Sequence, residues 1–329
     1  KDSYIVLSDG DRAIIDENYV HKLERLFSNK KGGMKVSYFD LPEVATMLEE
    51  IPKTGAIAKS RKFYEGFNAQ QQKQLRLKGM NAELRPYQKE GVKWLQYLYA
   101  NSMGGCLADD MGLGKTIQTI ALLTGIYHSG TKDHPAETPP TLIVMPKSLL
   151  FNWKAELERF APQLDVNTYY GLQRDPADIP NHQIILTSYG MVRSDIESLK
   201  DIQFQLVILD ESQNIKNVSA QMTQAVLLLN ARNRFALSGT PVENNLTELY
   251  SLFRFLNPSM FGTLQEFTER YAAPIHNDAN SEVLAELRRK IYPFILRRTK
   301  GEVLDDLPER IDQKIYVDME PQHASFYEQ

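Results

Sequence analysis

The sequence predicts an α/β fold in which a doubly wound parallel sheet carries helices on both faces. Short apolar runs alternate with helical patterns between residues 79 and about 245, as parallel strands joined by crossover helices do. Several runs are apolar throughout, which is typical of strands that are covered on both faces. Glycine-containing or acidic segments follow three of the runs, at the edge where ligands bind in such sheets. The predicted strands are 106–108, 141–145, 184–187, 206–209 and 235–238.

Composition places the chain among ordinary globular proteins. Its 329 residues are 42% hydrophobic and 24% charged, which is enough apolar material for a sizeable core. The net charge of −4 argues against one large basic face for DNA, although contacts through amides, hydroxyls and single cations stay open. The single cysteine, Cys106, excludes an intramolecular disulfide and fits a reducing compartment: the cytoplasm of a bacterium or the nucleus of a eukaryote. No run approaches the roughly 18 apolar residues of a membrane helix.

We divide the chain into an N-terminal region of unknown role (1–78), an α/β lobe (79–245) and a mostly helical part (246–329). The first region has a strand pattern at 4–7 and helical spacing at 19–27 and 44–51, the latter after a possible cap pair, Asp40 and Glu43. The last part is helical as far as Tyr292. Helices are predicted at 116–127, 149–160, 190–199 and 219–229, a surface loop at 129–140, and short apolar runs at 294–296 and 315–317.

The segment DDMGLGKT (109–116) has the pattern of a phosphate-binding loop, because it follows a strand and opens a helix. Gly112 and Gly114 let the backbone approach phosphate oxygens, and amides at the helix N-terminus point at the anion. Lys115 would reach the β and γ phosphates of ATP, and the Thr116 hydroxyl would ligate Mg²⁺. One departure is Asp109, which stands where the general pattern has glycine.

Two later segments strengthen this prediction. The strand LVIL ends in Asp210 and Glu211, which would hold Mg²⁺ and orient or deprotonate the attacking water. The segment LSGTPVENN (237–245) follows another strand, and behind a phosphate loop and an acid pair we expect Ser238 and Thr240 to couple nucleotide state to a nucleic-acid surface. Without those partners, Gly239 and Pro241 would indicate only a turn.

The ordered set of motifs resembles the SWI/SNF-type ATPases of the DEAD/H helicase-like superfamily over residues 80 to 329. The resemblance implies a RecA-like P-loop NTPase lobe, with 246–292 as its helical protrusion and the remainder as the start of a linker to a second lobe. That second lobe, with its arginine finger, would follow Gln329, and since the chain begins with Lys1 we expect a piece of a longer protein. Gln213 stands where many eukaryotic members have histidine, so the acid motif resembles that of bacterial members more closely. The matching segments are LRPYQKEGVKWL (84–95), LADDMGLGKT (107–116), LIVMPKSLLFNW (142–153), ILTSYG (185–190), LDESQNIKN (209–217), LSGTPVENN (237–245), ELYSLFRFLNP (248–258) and FILRRTKGEVLDDLP (294–308).

The resemblance also implies individual site residues. Gln88 would recognise adenine, since an amide can donate and accept at once. The nucleotide would contact Arg85, Gln88, Asp110, Met111, Gly112, Leu113, Gly114, Lys115, Thr116 and Ile117. Double-stranded DNA would contact Lys147, Ser148, Thr187, Ser188, Lys216 and Asn217, which suit sugar-phosphate binding without sequence readout. Trp153 is expected to anchor a helix in the core rather than to stack on a base.

These observations predict an ATP- and Mg²⁺-binding lobe of a DNA-dependent ATPase that translocates on double-stranded DNA or remodels protein–DNA complexes. Two alternatives remain open at this point. A strand-separating helicase or the motor of a restriction enzyme would share the ATP chemistry. A nucleotide-gated scaffold would bind without useful hydrolysis, although the presence of Lys115, Thr116, Asp210 and Glu211 argues against a decayed site.

Overall fold

The structure is a computed structural model that describes residues 4–6, 12–14, 28–30, 33–35, 38–40, 55–69, 79–127, 138–240, 245–277 and 281–306. The helical spacing at 19–27 and 44–51, most of the loop at 129–140 and the apolar run at 315–317 lie outside these residues. None of the helices within the described ranges is long and apolar enough to cross a membrane.

The described residues of the N-terminal region form two small antiparallel hairpins, a 3-10 helix and an α-helix. Strand β1 (Tyr4–Val6) pairs with β2 (Arg12–Ile14), which confirms the strand predicted at 4–7, and β3 (Ser28–Lys30) pairs with β4 (Gly33–Lys35). A short 3-10 helix spans Tyr38–Asp40, and helix α1 spans Gly55–Ala69.

The two later elements of this region contact the rest of the protein. In α1, Phe63 is 1% exposed and its ring stacks on that of Phe294 at 5.7 Å. The Asp40 carboxylate, at 3% exposure, pairs with Arg270 and Lys290, as a buried carboxylate requires. The helix that Asp40 and Glu43 were expected to cap lies outside the described residues.

The predicted parallel sheet is confirmed and has seven strands in the order β11-β5-β10-β9-β6-β8-β7. Every neighbouring pair is parallel. The strands are β5 (Gly105–Leu107), β6 (Thr141–Met145), β7 (Val166–Thr168), β8 (Ile184–Ser188), β9 (Gln203–Leu209), β10 (Asn230–Leu237) and β11 (Ile295–Leu296).

Two edge strands add to the five that the apolar runs predicted. Strand β7 was missed because its three residues are half-buried or exposed and give no apolar run. A histidine bridge holds this edge, with His182 Nδ1 2.8 Å from Asp165 Oδ2 and Nε2 3.0 Å from Asp178 Oδ2. Strand β11 lies within the apolar run at 294–296 and pairs with β5, so the chain returns to the lobe after the protrusion.

Helices cover both faces of the sheet, as a doubly wound fold requires. These are α2 (Pro86–Ala100), α3 (Lys115–Tyr127), α4 (Leu150–Phe160), α5 (Tyr189–Leu199) and α6 (Gln221–Leu227). The prediction of 219–229 for α6 was too long, because Asn217 forms a turn in which its side-chain oxygen accepts from the Ser219 amide at 3.0 Å. Strand β10 then begins at Asn230.

Alternate residues of the strands enter two separate apolar clusters, one on each face. In β6, Ile143 belongs to the cluster that contains Trp94 and Phe235, whereas Leu142 and Val144 belong to the other cluster. This alternation follows from the two-residue period of a strand, and it explains why the runs are apolar throughout.

The described residues between 245 and 292 are mostly helical, as predicted. They comprise α7 (Leu246–Leu256), α8 (Leu264–Phe267), a π-helical turn (Thr268–Ala272), α9 (Ala273–Asn277) and α10 (Ser281–Ile291). Eight of the eleven residues of α7 are buried, which agrees with its apolar residues on all sides.

Candidate functional site

Three loops that the sequence singled out meet at the carboxyl edge of the sheet. Strand β10 lies between β5 and β9, so the segments after these strands are neighbours: 109–116, 238–240 and 210–216. A methyl group placed on Gly239 would come within 3.0 Å of Met111 Cγ and 3.9 Å of Lys115 Nζ. The phosphate-loop pattern, the acid pair and the Ser238 segment therefore form one site.

The loop before α3 has the geometry of an anion-binding turn. Gly112 and Gly114 have φ values of 86° and 81°, which side-chain-bearing residues rarely adopt. Lys115 Nζ donates to the main-chain oxygens of Asp109 at 2.7 Å and Asp110 at 3.3 Å. Within the described residues Lys115 forms no ion pair, so its charge is available to an anion. The loop ends in the first turn of α3, where Thr116 and Ile117 are half-buried.

The segment predicted to recognise adenine is fastened to this loop. The Gln88 side-chain oxygen accepts from the Arg85 amide at 3.0 Å, and its amide nitrogen donates to the Leu113 oxygen at 3.2 Å. Tyr87 donates to the same Leu113 oxygen at 3.0 Å. Both ends of Gln88 are thus engaged within the chain, and contact with a base requires it to exchange these partners.

Asp210 is a buried carboxylate held by neutral donors. It is 8% exposed, and its oxygens accept from Trp153 Nε1 at 2.7 Å and from the Glu211 amide at 2.8 Å. Burial raises the pKa of Asp210, and these two hydrogen bonds oppose that rise. The described residues give Asp210 no ion pair, although the more distant charge of Lys115 also lowers its pKa. A buried carboxylate of this kind suits a bound cation.

Glu211 and Gln213 form the next part of the site. Glu211 has φ 50° and ψ 55°, a left-handed conformation that costs a residue with a side chain roughly 1 kcal/mol or more. Its carboxylate accepts from Gln213 Nε2 at 2.7 Å. Gln213 Oε1 is buried and has no hydrogen-bond partner among the described residues. Glu211 thus stands after β9 in a strained backbone conformation, with its carboxylate held by one end of Gln213.

The expected coupling residues, Ser238 and Thr240, lie across a cleft from Gln213. Ser238 Oγ accepts from the Thr240 amide at 3.1 Å, and the two hydroxyl oxygens are also 3.1 Å apart. Ser212, Gln213, Lys216 and Glu248 line the same cleft. The two segments are therefore adjacent, and no hydrogen bond joins them among the described residues.

The residues expected to contact DNA divide into exposed and buried groups. Lys147, Ser148, Lys216 and Asn217 are exposed, in turns after β6 and β9. Ser188 is 6% exposed, and its Oγ accepts from the Met191 amide at the start of α5.

Thr187 does not fit the expectation. Its side chain is fully buried, and its hydroxyl donates to the Tyr169 main-chain oxygen at 2.9 Å. Its place inside β8 directs the hydroxyl toward the neighbouring backbone, so we remove Thr187 from the proposed side-chain contacts.

Two residues of the site were not predicted from the sequence. Trp153 is buried as expected, at 2% exposure, but it also donates to Asp210. Arg298 was expected to belong to a linker, and it forms a bidentate ion pair with Asp109, which is fully buried. A carboxylate buried after an apolar strand requires hydrogen-bonding or cationic partners, and this requirement was the signal available in the sequence.

The amino-acid sequence that forms this site is similar to known proteins over most of its length. Residues 87–329 match the family model described as the SNF2-related domain. The ATP-dependent helicase/translocase YwqA of Bacillus subtilis is 44% identical over 253 residues, which is 75% of this chain and 27% of that protein. The TATA-binding protein-associated factor mot1 of Aspergillus fumigatus is 41% identical over 260 residues, 73% of this chain and 14% of that protein.

A solved structure shows the same fold. The Sulfolobus solfataricus SWI2/SNF2 ATPase core in complex with double-stranded DNA aligns with a TM-score of 0.67 and 38% identity, over 78% of this chain and 53% of that chain. The chain therefore spans about a quarter or less of the two curated relatives and about half of the solved core.

Proposed function

The chain belongs to the SNF2 family, and from this premise we propose that it carries the ATP-binding lobe of a DNA-dependent ATPase. In the complete protein, ATP hydrolysis would drive translocation on double-stranded DNA or the remodelling of protein–DNA complexes. The observation that carries the proposal is the meeting of Lys115, Asp210 and Glu211 at one edge of the sheet, where three adjacent strands end. YwqA is named as a helicase/translocase, and the Sulfolobus core was solved with DNA.

Each residue has a distinct part in the proposed chemistry. Lys115 and the amides of the glycine loop bind the β and γ phosphates, and Gln88 recognises adenine. Glu211 orients the attacking water and accepts its proton, because its carboxylate stands beside the metal-site residue Asp210. Gln213 holds the Glu211 carboxylate at 2.7 Å, which fixes the direction in which it points.

The residues fit a magnesium ion held mainly by its substrate. Asp210 offers an unpaired buried charge, and Thr116 lies in the first turn of α3. Among the residues described, no three His, Cys, Asp or Glu side chains cluster as a protein-only metal site would require. Mg²⁺ bound by one carboxylate, one hydroxyl, phosphates and water needs no such cluster, and it would neutralise charge on the phosphates.

We further propose that Lys147, Ser148, Ser188, Lys216 and Asn217 contact the DNA backbone. The first two and the last two are exposed on turns at the same sheet edge as the nucleotide site. Single cations and hydroxyls give weak, sequence-insensitive and steeply salt-dependent binding. Replacement of Lys147 or Lys216 by alanine should lower the salt dependence of binding by about one phosphate contact each.

The division into residues 1–78, 79–245 and 246–329 remains part of the proposal, as does a second lobe that supplies an arginine to the γ-phosphate. Arg298 does not take that role in this conformation. Its Nε, Nη1 and Nη2 atoms all donate to groups within the lobe.

Calorimetry with Mg·ATP tests the proposal. Lys115→Ala should weaken binding tenfold or more, since a hydrogen bond to a charged group contributes roughly 1.5–3 kcal/mol. Lys200→Ala is the matched control, because Lys200 lies at the far end of α5 and pairs with exposed Glu197. Equal affinity of the wild type and Lys115→Ala would contradict the assignment.

A further inference from the structure

Arg298 joins two segments that are far away in the chain. Its guanidinium forms a bidentate pair with Asp109, with Nε 3.0 Å from Oδ1 and Nη2 2.5 Å from Oδ2. Nη2 also donates to the side-chain oxygen of Gln118 at 2.9 Å, and Nη1 donates to the main-chain oxygen of Tyr87. The guanidinium carbon lies 5.2 Å from the centre of the Tyr87 ring. One side chain thus contacts both the adenine segment and the phosphate loop.

Asp109 connects this arginine to the phosphate-binding lysine. The Asp109 side chain is fully buried, and Arg298 is its ion-pair partner. The main-chain oxygen of the same residue accepts from Lys115 Nζ at 2.7 Å. Because one residue holds Arg298 by its side chain and Lys115 by its backbone, a shift of Arg298 changes the support of Lys115.

The residues around Arg298 reinforce the attachment. The Asp110 amide donates to the Arg298 main-chain oxygen at 3.0 Å, and the Lys300 amide donates to the Asp110 carboxylate at 3.1 Å. Val303 packs against Tyr87 and Leu113 in a small buried cluster. The segment 298–303 is therefore held to the loop by its backbone as well as by one guanidinium.

We propose that Arg298 is a positioning residue for nucleotide binding, which holds the adenine segment and the phosphate loop at a fixed separation without touching the nucleotide. The inference rests on the proposed function of this loop as the ATP site. A nucleotide can contact the adenine segment and the phosphate loop at the same time only if the distance between them matches its length. Loss of Arg298 should therefore weaken a ligand that spans both segments more than one that fills the phosphate loop alone.

The test measures binding of Mg·ATP and Mg·tripolyphosphate to the 329-residue chain by calorimetry. Arg298→Gln removes the charge and the fork of donors, and Arg298→Lys keeps the charge beside Asp109 so that the fold is retained. The matched control is Arg174→Gln, because Arg174 also forms a bidentate pair, with Asp195, at similar exposure and away from the loop. Unfolding by urea is followed for each variant, and binding is compared where all are folded.

Arg298→Gln should bind Mg·ATP at least tenfold more weakly than the wild type, and Arg298→Lys several-fold more weakly. Both losses should exceed those for Mg·tripolyphosphate, while Arg174→Gln binds both ligands as the wild type does. Unchanged Mg·ATP affinity of both Arg298 variants, or equal losses for the two ligands, would overturn the inference. If the wild type itself fails to bind Mg·ATP, or binds no better than Lys115→Ala, the proposed function fails instead.

Discussion

Removal of Asp40 should uncouple the N-terminal region from the helical protrusion at a measurable cost in stability. The Asp40 carboxylate lies 3.0 Å from each of two guanidinium nitrogens of Arg270 and 2.7 Å from Lys290 Nζ. Asp40 and Lys290 are 3% and 7% exposed, and Glu286 also pairs with Arg270. Asp40→Ala would leave two cations in the interior with one carboxylate.

The size of the effect follows from this burial. Removal of one partner from a buried ion pair costs about 3–5 kcal/mol, because the remaining charge is left uncompensated. Lys290 limits the cost, since burial lowers its pKa to about 8 despite the attraction of Asp40. Without Asp40 the lysine can lose its proton near neutral pH, so we expect a loss of about 3 kcal/mol rather than 5.

Urea unfolding at pH 7 measures this loss against an exposed ion pair in the same chain. Lys200 and Glu197 form a pair at 2.5 Å in which Glu197 is 81% exposed, and Glu197→Ala should cost at most about 1 kcal/mol. If Asp40→Ala destabilises the protein no more than Glu197→Ala does, the buried ion pairs of Asp40 contribute no more than an exposed pair, and the reasoning is wrong.

Three further predictions concern Trp153 and Glu211 at the proposed ATP site and His182 beside the edge strand β7. Trp153→Phe keeps the core filled but removes the hydrogen-bond donor to Asp210. Urea unfolding should show a free energy of unfolding lower by about 1.5–3 kcal/mol, and calorimetry should show a weaker effect of Mg²⁺ on ATP affinity. An unchanged Mg²⁺ effect would contradict this prediction. In a protein that includes both lobes, Glu211→Gln should bind ATP normally and lose DNA-stimulated hydrolysis, because an amide accepts no proton; near-normal turnover would move the base elsewhere. Burial lowers the pKa of His182, but the hydrogen bonds and charges of its two aspartate partners raise it by a larger amount. The net shift of the pKa is therefore upward. The resulting stabilisation is full below about pH 6.5 and is lost as the pH rises through the folded-state value, and His182→Gln should abolish that dependence in unfolding measured from pH 5 to 8.

The sequence by itself determined the fold class and the location of the site. Apolar runs of strand length indicated five of the strands, since strands covered on both faces are mostly apolar. The glycines of the phosphate loop are equally local, because Gly112 and Gly114 adopt positive φ values that other residues avoid. The acid pair could be placed at the same edge because parallel strands all end there. The roles of these residues in ATP binding remain predictions.

Only the tertiary structure decided how distant side chains are paired. Asp109 and Arg298 are 189 positions apart, and Asp40 and Lys290 are 250 apart, so no local pattern could match them. The partner of Trp153 was also not predictable. Its apolar ring predicted burial, but only the structure showed that its indole nitrogen donates to Asp210. Thr187 shows the converse, because its strand position turned a hydroxyl expected at the surface toward the Tyr169 backbone. Burial creates an absolute need for a hydrogen-bonding or charged partner, but the folded chain alone selects which partner meets it.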